Sequence, residues 1–234
     1  MKEYFSRTEC LLNSNNMDKL SSSHVAIFGV GGVGGYVIEA LVRCGIKNIT
    51  IIDNDVVSLT NINRQIIALK STVGRKKVEV MKERILDINE ECNVFTYDTF
   101  VLEDNIDTFD FSSFDYVVDA IDTVSAKLAI IEKCNKNNIP IISSMGTGNK
   151  LDPSKFEIVD INQTSVCPLA RVMRRELKKR NISKLKVLFS KEEPHSTFVN
   201  EENTYKNNIP GSISFVPSSA GLLIASFVVK ELIK

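Results

Sequence analysis

The stretch His24-Val-Ala-Ile-Phe-Gly-Val-Gly-Gly-Val-Gly-Gly35 decides the fold of this chain. Its apolar start leads into the pattern Gly29-x-Gly31-Gly32-x-Gly34, and an apolar helical pattern follows over 36–43. A second apolar run, 49–52, ends in Asp53. Strand, glycine turn, helix, strand and acid in this order are typical of a site where backbone N–H groups and the positive end of a helix face phosphate. The sequence therefore predicts a bound nucleotide.

Asp53 indicates where the ribose would lie. It follows Gly31 by 22 residues, which is the separation at which an acid accepts a hydrogen bond from a ribose hydroxyl. Most chains with this glycine turn and acid bind a dinucleotide such as NAD. An NAD-dependent oxidoreductase is therefore one hypothesis, and the residues beyond Asp53 test it.

Strands and helices alternate along the chain up to residue 148. Their expected bounds are 24–29, 48–53, 93–97, 116–119 and 139–144 for the strands and 33–44, 75–89 and 124–137 for the helices. This alternation predicts an α/β fold with a Rossmann-like, doubly wound and mostly parallel sheet, covered by helices on both faces.

The chain is expected to form a single domain, 1–234, in three parts. An N-terminal arm, 1–23, precedes the nucleotide-binding core, 24–148, and a C-terminal strand and helix extension, 149–234, follows it. The extension is predicted to hold a strand at 156–161, a basic helix at 169–180, a strand at 185–190, a mobile surface loop at 191–211, a short strand at 212–216 and an apolar terminal helix.

Composition narrows the class of protein. Lysine plus arginine and aspartate plus glutamate both number 29, so any nucleic acid would have to bind a local basic patch. The five cysteines form no Cys-x-x-Cys pair, which disfavours structural zinc and disulfides and fits a cytoplasmic protein. The longest apolar stretch, 220–229, is too short to span a bilayer, so we expect a buried terminal helix and no membrane association.

Polar and basic residues beyond Asp53 favour a triphosphate over a redox cofactor. Asp55 is followed closely by Asn61, Asn63, Arg64 and Gln65. Arginine binds phosphate oxygens with two hydrogen bonds, and asparagine donates to them, whereas hydride transfer needs no such set. Lys76 and Lys77 then open a helix at its positive end, and the helix register predicts that Lys77 faces the ligand and Lys76 faces solvent.

Two acids follow the fourth strand, in Asp119-Ala-Ile-Asp122. Ligands of open α/β sheets bind outside the carboxyl ends of the strands. A carboxylate beside phosphates at this edge most naturally holds Mg²⁺. The alternative is that Asp122 only caps the helix expected at 124–137.

Together these motifs resemble one superfamily. Gly29-x-Gly-Gly-x-Gly34, Asp53-x-Asp55, Asn61-x-Asn-Arg-Gln65, Gly74-x-x-Lys77 and Asp119-x-x-Asp122 have the order and spacing found in the ubiquitin-activating-enzyme-like adenylyltransferases, the ThiF/MoeB/HesA superfamily. The likeness covers about residues 4–165. Its members bind ATP with Mg²⁺ and join AMP to a carboxylate.

The resemblance implies a role for each matching residue. Gly32 would face the phosphates, Asp53 the ribose, and the whole cofactor-binding set would be Gly29, Gly31, Gly32, Gly34, Asp53, Asp55, Asn61, Asn63, Arg64, Gln65 and Lys77. The catalytic set would be Arg64, Lys77, Asp122 and Arg7, with Mg²⁺ on Asp122. Because Arg7 matches an arginine that reaches the neighbouring subunit's ATP, the resemblance also implies a homodimer.

One branch of the superfamily is similar over nearly the whole chain. The segments Arg7-Thr-Glu-x-Leu-Leu12, Pro168-Leu-Ala-Arg-Val-Met-Arg-Arg-Glu-Leu177 and Phe215-Val-Pro-Ser-Ser-Ala-Gly221 look like those of the tRNA threonylcarbamoyladenosine dehydratases. These enzymes activate the threonyl carboxylate on an adenosine next to the tRNA anticodon, and loss of AMP then closes a ring. The resemblance implies this activity and a tRNA partner.

A cationic surface for tRNA is available at 171–180, where six of ten residues are basic. Phosphate contacts from such a helix position RNA without reading its sequence. The expected tRNA-binding residues are Arg171, Arg174, Arg175, Lys178 and Lys179. A plain solvated helix face is the alternative.

Other functions stay open at this point. An adenylyltransferase for a small ubiquitin-like sulfur-carrier protein would share every ATP residue, although such relatives commonly carry two Cys-x-x-Cys pairs. An oxidoreductase leaves Asn61, Arg64 and Lys77 unexplained, and their presence with Asp122 argues against a non-catalytic partner subunit. Cys167 precedes a proline and could serve a sulfur-transfer partner, a cysteine desulfurase or a sulfur acceptor, or be inert.

Overall fold

The computed structural model describes residues 3–196 and 210–234. Within them the strands are β1 (His24–Phe28), β2 (Asn48–Ile52), β3 (Asn93–Tyr97), β4 (Tyr116–Asp119), β5 (Ile141–Ser144), β6 (Phe156–Asp160) and β7 (Lys186–Ser190). The α-helices are α1 (Ser6–Leu12), α2 (Ser14–Ser22), α3 (Gly34–Arg43), α4 (Lys77–Ile88), α5 (Val124–Asn137), α6 (Pro168–Lys179) and α7 (Phe215–Leu232).

The seven strands that the described residues form make one sheet in the order β3-β2-β1-β4-β5-β7-β6. Only the β6–β7 pairing among them is antiparallel. The doubly wound, mostly parallel α/β sheet that the sequence predicted is thereby confirmed. Strands β1, β2 and β3 follow one another towards one edge of the sheet, and β4 and β5 towards the other. The strand order thus reverses between β1 and β4, and a crevice opens above the carboxyl ends of these two parallel strands.

Glycine is required where β1 turns into α3. Gly29 has φ +96°, and a Cβ on it would lie 2.7 Å from the Ala120 carbonyl oxygen that follows β4. A Cβ on Gly34 would lie 1.8 Å from the Gly29 carbonyl oxygen. Only residues without a side chain therefore let the start of α3 rest on the end of β1, next to β4.

Both faces of the sheet are buried. Val25, Ile27, Ile49 and Ile51 belong to a core shared with α3 and α7. On the other face a second core contains Phe28, Ile52 and the aromatic residues of the β3–β4 connection, Phe109, Phe111 and Phe114. This two-sided burial explains why β1 and β2 are apolar at consecutive positions rather than at alternate ones.

Helix α7 covers one of these faces. By length and composition alone it could cross a membrane, yet 44% of it is buried inside the structure. A Cβ on Gly221 would lie 2.5 Å from the Val33 carbonyl oxygen, so α7 lies directly against the chain that leads into α3. The expected buried terminal helix is what the structure has.

The prediction of a short strand at 212–216 is wrong. Residues 211–213 are irregular, and Phe215 and Val216 already belong to α7. The alternating pattern there suggested a strand, but Val216 starts a four-residue period of fully buried residues, Val216, Ala220, Ile224 and Val228. That period places one face of a helix on the core, and it outweighs the alternation of five residues.

Two other sequence expectations concern the ends of the chain. The N-terminal arm forms two helices, α1 and α2, and the Tyr4 hydroxyl donates to Asn89 Oδ1 at 3.0 Å. Of the surface loop expected at 191–211, residues 197–209 lie outside the described residues. Its flanks, 191–196 and 210–211, contain neither helix nor strand.

A buried ion pair joins β4, β5 and α5. Lys127 and Asp119 have fully buried side chains, and Lys127 Nζ lies 2.9 Å from Asp119 Oδ2. The same ammonium donates to Ser143 Oγ at 3.1 Å and to the Ser144 carbonyl at 2.8 Å. The remaining carboxylate oxygen accepts from the Ile121 N–H. Every polar atom of the pair is thus engaged, as burial of two charges requires.

We predict that Lys127→Met lowers the free energy of unfolding by about 3–5 kcal/mol, because it leaves the Asp119 carboxylate buried without its counter-charge. The matched control is Lys133→Met on the same helix, whose partner Asp107 is exposed. Loss of that surface pair is expected to cost about 0–1 kcal/mol. Urea unfolding followed by circular dichroism measures both, and equal costs would contradict the role given to Lys127.

Candidate functional site

An open cavity of about 370 Å³ lies above the carboxyl ends of β1, β2 and β4. Most of the residues predicted to bind a nucleotide line it: Gly29, Gly31, Gly32, Asp53, Asp55, Asn61, Arg64, Gln65, Lys77 and Asp122. These residues are distributed over 94 positions of sequence and meet because parallel strands end at one edge of the sheet. Gly34, Asn63 and Arg7 lie outside the cavity wall.

The glycine turn forms the floor of the cavity. A Cβ on Gly32 would lie 3.2 Å from Pro217 Cβ and 3.5 Å from Arg64 Cγ, so these side chains leave little room for another, and Gly32 lines the cavity with its bare backbone. Gly34, in contrast, is needed for the approach of α3 to β1. The floor can therefore present N–H groups near the positive end of α3 to an anion.

Asp53 is fixed at the end of β2. Its Oδ2 accepts a hydrogen bond from the Val30 N–H at 2.7 Å, and its Oδ1 accepts one from the Asp55 N–H at 2.9 Å. Burial raises the pKa of this carboxyl above its ordinary value, although the Lys77 ammonium opposes that shift. Each oxygen keeps a further lone pair, so Asp53 can still accept hydrogen bonds from a ligand.

Lys77 supplies a positive charge inside the cavity. Its Nζ lies 2.6 Å from Asp55 Oδ2 and 3.8 Å from Asp53 Oδ1, and only 5% of its side chain is exposed. The neighbouring Lys76 is half exposed and pairs with Asp98 Oδ2 at 2.6 Å. Of the two lysines, Lys77 is therefore the one that a bound anion can reach from within the cavity.

The segment before Lys77 holds Arg64 at the cavity rim. Arg64 Nη1 donates to the Thr60 carbonyl and to Asn63 Oδ1, both at 2.9 Å. Asn63 Nδ2 in turn donates to the Ser212 carbonyl at 3.0 Å. Asn63 thus contacts Arg64 rather than the cavity itself. Asn61 Oδ1 accepts from the Ser58 N–H at 3.0 Å, which closes the 3₁₀ turn that carries this segment.

Gln65 carries an unsatisfied polar atom. Its side chain is 7% exposed, and its Oε1 has no hydrogen-bond partner among the residues that the structure describes. Since Gln65 lines the cavity, this buried acceptor is free for a donor on a ligand. Buried polar atoms without a partner are uncommon in native proteins, so the cavity has the chemistry of a polar ligand site.

Asp119 and Asp122 have different places. Asp119 is buried in the pair with Lys127, whereas Asp122 is exposed and lines the cavity. Thr123 is the N-cap of α5, so Asp122 lies one residue before the cap and does not take the capping position. Among the described residues no group of three or more acidic, histidine or cysteine side chains forms a metal cluster. A single carboxylate completed by ligand phosphates still fits Mg²⁺.

Arg7 is exposed on α1, which precedes α2 and β1, and it does not line the cavity of its own chain. The arm around it is held there by Tyr4, which reaches Asn89 at the end of α4, and by the buried Phe5. Helix α2 then leads directly into the amino end of β1. The structure thus does not bring Arg7 together with the other predicted site residues.

The basic residues of the run 171–180, on α6 and its C-cap, fall into three groups. Arg174 donates to the Thr164 carbonyl at 3.1 Å and is part of the fold. Glu176 pairs with Lys179 at 2.9 Å, with Arg180 at 3.1 Å and with Arg175 at 3.2 Å, and these contacts, that with Lys179 foremost, lower the pKa of Glu176 to about 2.

Arg171 and Lys178 form the third group. With Arg174 and Arg175 they line an open groove between α6 and the 3₁₀ turn Ile161–Gln163, to which Asn162 and Asn181 also contribute. Neither forms an ion pair within the part of the chain that the structure describes. Of the five residues expected to bind tRNA, these two are the least committed to other contacts.

Sequence reasoning missed several residues of the site. Thr147 at the end of the core and Ser212 and Pro217 of the extension also line the cavity. Pro217 lies in the segment Phe215–Gly221 that resembles the dehydratases, whereas no local pattern marks Thr147 or Ser212. The sequence did point to Lys127, because it is the single lysine in the otherwise apolar run Ala126–Ile131. Cys167 is 3% exposed and lies outside the cavity wall.

Comparison with known proteins agrees with the family resemblance of the motifs. Residues 6–234 match the model of the ThiF family. A tRNA threonylcarbamoyladenosine dehydratase of Bacillus subtilis is 43% identical over 244 aligned residues, which cover 100% of this chain and 96% of that protein. The family resemblance is thereby confirmed.

Solved structures give the same result. The E. coli tRNA N6-threonylcarbamoyladenosine dehydratase TcdA in complex with ATP matches with a TM-score of 0.89 and 35% identity, over 98% of this chain and 93% of that one. E. coli MccB with ATP matches with a TM-score of 0.70 and 21% identity, over 99% of this chain and 64% of that one, and shows the shared fold alone. This chain therefore belongs to the ThiF family.

Proposed function

We propose that this protein is an ATP-dependent tRNA threonylcarbamoyladenosine dehydratase. The observation that carries the proposal is the cavity itself, where a glycine floor, Asp53, Arg64, Lys77 and Asp122 converge in a chain similar along its whole length to such dehydratases. The chain works as one adenylating domain, in which 1–23 form an arm, 24–148 the nucleotide-binding core and 149–234 an extension that closes the cavity. We place it in the cytoplasm, with its tRNA substrate.

ATP would lie along the cavity. Its phosphates would lie on the floor at Gly31 and Gly32, within reach of the Lys77 ammonium and the Arg64 guanidinium. Its ribose would donate to Asp53, and the free acceptor of Gln65 would take a hydroxyl or amino donor of the nucleotide. The two cations are already held by Asp55 and Asn63, so little reorganisation accompanies the development of negative charge at phosphorus.

Asp122 is the residue that would hold Mg²⁺, since it is the exposed carboxylate of the cavity wall near the Thr123 N-cap. When bound there with the phosphates, the ion would neutralise part of their negative charge. Asp119 is excluded from that role by its buried bond to Lys127.

The reaction needs no nucleophile from the protein. A threonyl carboxylate oxygen attacks the α-phosphorus of ATP, pyrophosphate leaves, and the carboxyl group becomes a mixed anhydride with AMP. A carbamoyl nitrogen or oxygen of the same nucleoside then attacks the activated carbon, loses a proton, and displaces AMP. The nucleoside loses one water, whose oxygen leaves in AMP. Ring closure within one molecule benefits from a large effective concentration.

A homodimer would complete the site. Arg7 does not line the cavity of its own chain, and exposed apolar side chains lie on the segments that contribute to the cavity wall. They come from the segments joined by the Asn63–Ser212 hydrogen bond and from α7, namely Leu59, Ile62, Phe215, Leu222 and Leu223. A second copy of the chain is the occupant that would cover this surface and bring in Arg7.

Sulfur chemistry finds less support. The Cys167 thiol is buried and lies outside the cavity wall, so a cysteine desulfurase or sulfur acceptor could reach it only after local opening. The sequence also lacks the Cys-x-x-Cys pairs common in activators of sulfur-carrier proteins. Carrier-protein activation is the alternative outcome of the test below.

Incubation of the protein with ATP, Mg²⁺ and tRNA that bears threonylcarbamoyladenosine tests the proposal. We expect the modified nucleoside to lose one water by mass spectrometry while AMP and pyrophosphate form. Asp122→Ala should lower AMP formation by about 10²-fold or more without changing tRNA binding. The control is Asp87→Asn on the exposed side of α4. Pyrophosphate exchange that requires a small carrier protein and no tRNA would overturn the proposal in favour of the alternative.

Mixing two inactive variants tests whether Arg7 acts across a dimer. We expect Arg7→Ala and Asp122→Ala to be inactive alone, and their mixture to regain about a quarter of wild-type activity. After random exchange of subunits, half of all dimers in the mixture are heterodimers, and each heterodimer has one intact site out of two. A mixture that stays inactive after confirmed subunit exchange would show that Arg7 does not act in trans.

A pair of adjacent lysines tests the tRNA surface. We expect Lys178→Ala to weaken tRNA binding and to reduce the log–log salt slope by about 1, since it removes one phosphate contact. Lys179→Ala changes the same charge on the side of α6 that Glu176 neutralises, and both quantities should stay close to wild type. Filter binding at several salt concentrations measures them, and equal effects would argue against the groove.

A further inference from the structure

Asn149 connects two segments that are far apart in sequence. It has φ 59°, a left-handed conformation that asparagine tolerates better than most residues. The Asn149 N–H donates to the Gly211 carbonyl at 2.8 Å, and its Oδ1 accepts from the Gly211 N–H at 2.6 Å. Its own carbonyl accepts from the His195 N–H at 2.8 Å.

The two connected ends depend on Asn149 to different degrees. The His195 side has a second anchor, because the Glu192 carboxylate accepts from the Leu151 and Asp152 N–H groups. Within the described residues, both backbone hydrogen bonds of Gly211 go to Asn149. The position of Gly211 is therefore set by its hydrogen bonds to Asn149 and by its packing against Gly148.

This packing is tight. A Cβ on Gly148 would lie 2.7 Å from Pro210 Cβ and 3.4 Å from the Gly211 carbonyl oxygen. The chain at 210–211 consequently lies directly against 148–149. A shift of Asn149, or any added bulk at Gly148, would displace Gly211 and the residue after it.

The residue after Gly211 links this contact to the cavity. Ser212 lines the cavity, and its carbonyl accepts from Asn63 Nδ2 at 3.0 Å. Asn63 Oδ1 in turn accepts from Arg64 Nη1 at 2.9 Å. An uninterrupted series of hydrogen bonds and peptide bonds thus runs from Asn149 through Gly211, Ser212 and Asn63 to the Arg64 guanidinium.

We infer that Asn149 is a positioning residue for ATP binding: it fixes the Ser212 carbonyl, which orients Asn63 and so holds Arg64 at the cavity rim. The inference rests on the proposed function, because it assigns the use of Arg64 to ATP. It gives the extension a part in nucleotide binding although Asn149 itself does not line the cavity. A residue that only stabilised the fold would change the melting temperature and leave the affinity for ATP unaltered.

The experiment measures ATP binding by titration calorimetry and the KM for ATP in the dehydration assay. Asn149→Gly keeps the left-handed backbone and removes the side-chain acceptor. We expect about fivefold weaker ATP binding and at least an equal fall in kcat/KM for ATP, the effect of about one lost hydrogen bond. Asn149→Asp keeps the acceptor and should bind ATP within about twofold of wild type.

Two further variants keep the test decisive. Gly148→Ala should weaken ATP binding at least as much, because its Cβ displaces Pro210. Asn138→Gly, at another left-handed asparagine remote from the cavity, is the matched control and should leave ATP binding unchanged. Melting temperatures identify any variant that has lost the fold.

A double-mutant cycle with Asn63 tests the path. In an Asn63→Ala background, Asn149→Gly should have no further effect on ATP binding, because the connection is already broken. The inference is overturned if Asn149→Gly and Gly148→Ala bind ATP like wild type, or if the Asn149→Gly effect persists undiminished in the Asn63→Ala background. Absence of ATP binding by the wild-type protein would instead refute the proposed function.

Discussion

The close approach of three backbone segments is the constraint on which the rest of the structure depends. Gly29 passes under the Ala120 carbonyl, and Gly34 lies against the Gly29 carbonyl with no room for a side chain. This contact brings the first turn of α3 and the end of β4 to the carboxyl end of β1. The floor of the cavity and its Asp122 wall are consequences of that contact, because both are continuations of the three segments.

Buried charge sets the rest of the geometry. Lys127 extends from α5 to Asp119, Ser143 and Ser144. It thereby joins the ends of β4 and β5 to α5. With Asp119 committed to this pair, Asp122 alone of the two acids faces the cavity. The cations are arranged by the same principle, since Lys77 is held by Asp55 and Arg64 by Asn63 before any ligand binds. Such preorganised charges suit a reaction that concentrates negative charge at phosphorus.

The extension does more than add a strand pair and two helices. Its residues Ser212 and Pro217 complete the cavity wall, and Asn149 joins His195 to Gly211, the residue before Ser212. Helix α6 shows how tertiary contacts sort a uniform basic run. Glu176 pairs with Lys179 on one side, Thr164 engages Arg174, and Arg171 and Lys178 line the groove without an ion pair among the described residues.

The sequence by itself determined the α/β class, the strands and helices of the core, and most of the residues that line the cavity between Gly29 and Asp122, because each rests on local periodicity or on a motif with fixed spacing. It failed at 212–216, where five alternating residues concealed the start of a helix whose four-residue period becomes evident only further along. Tertiary structure alone decided that Asp119 pairs with Lys127 while Asp122 lines the cavity, which basic side chains pair with Glu176, and that Asn149 contacts Gly211. These outcomes depend on which side chains meet across distant segments, and no local pattern encodes such meetings.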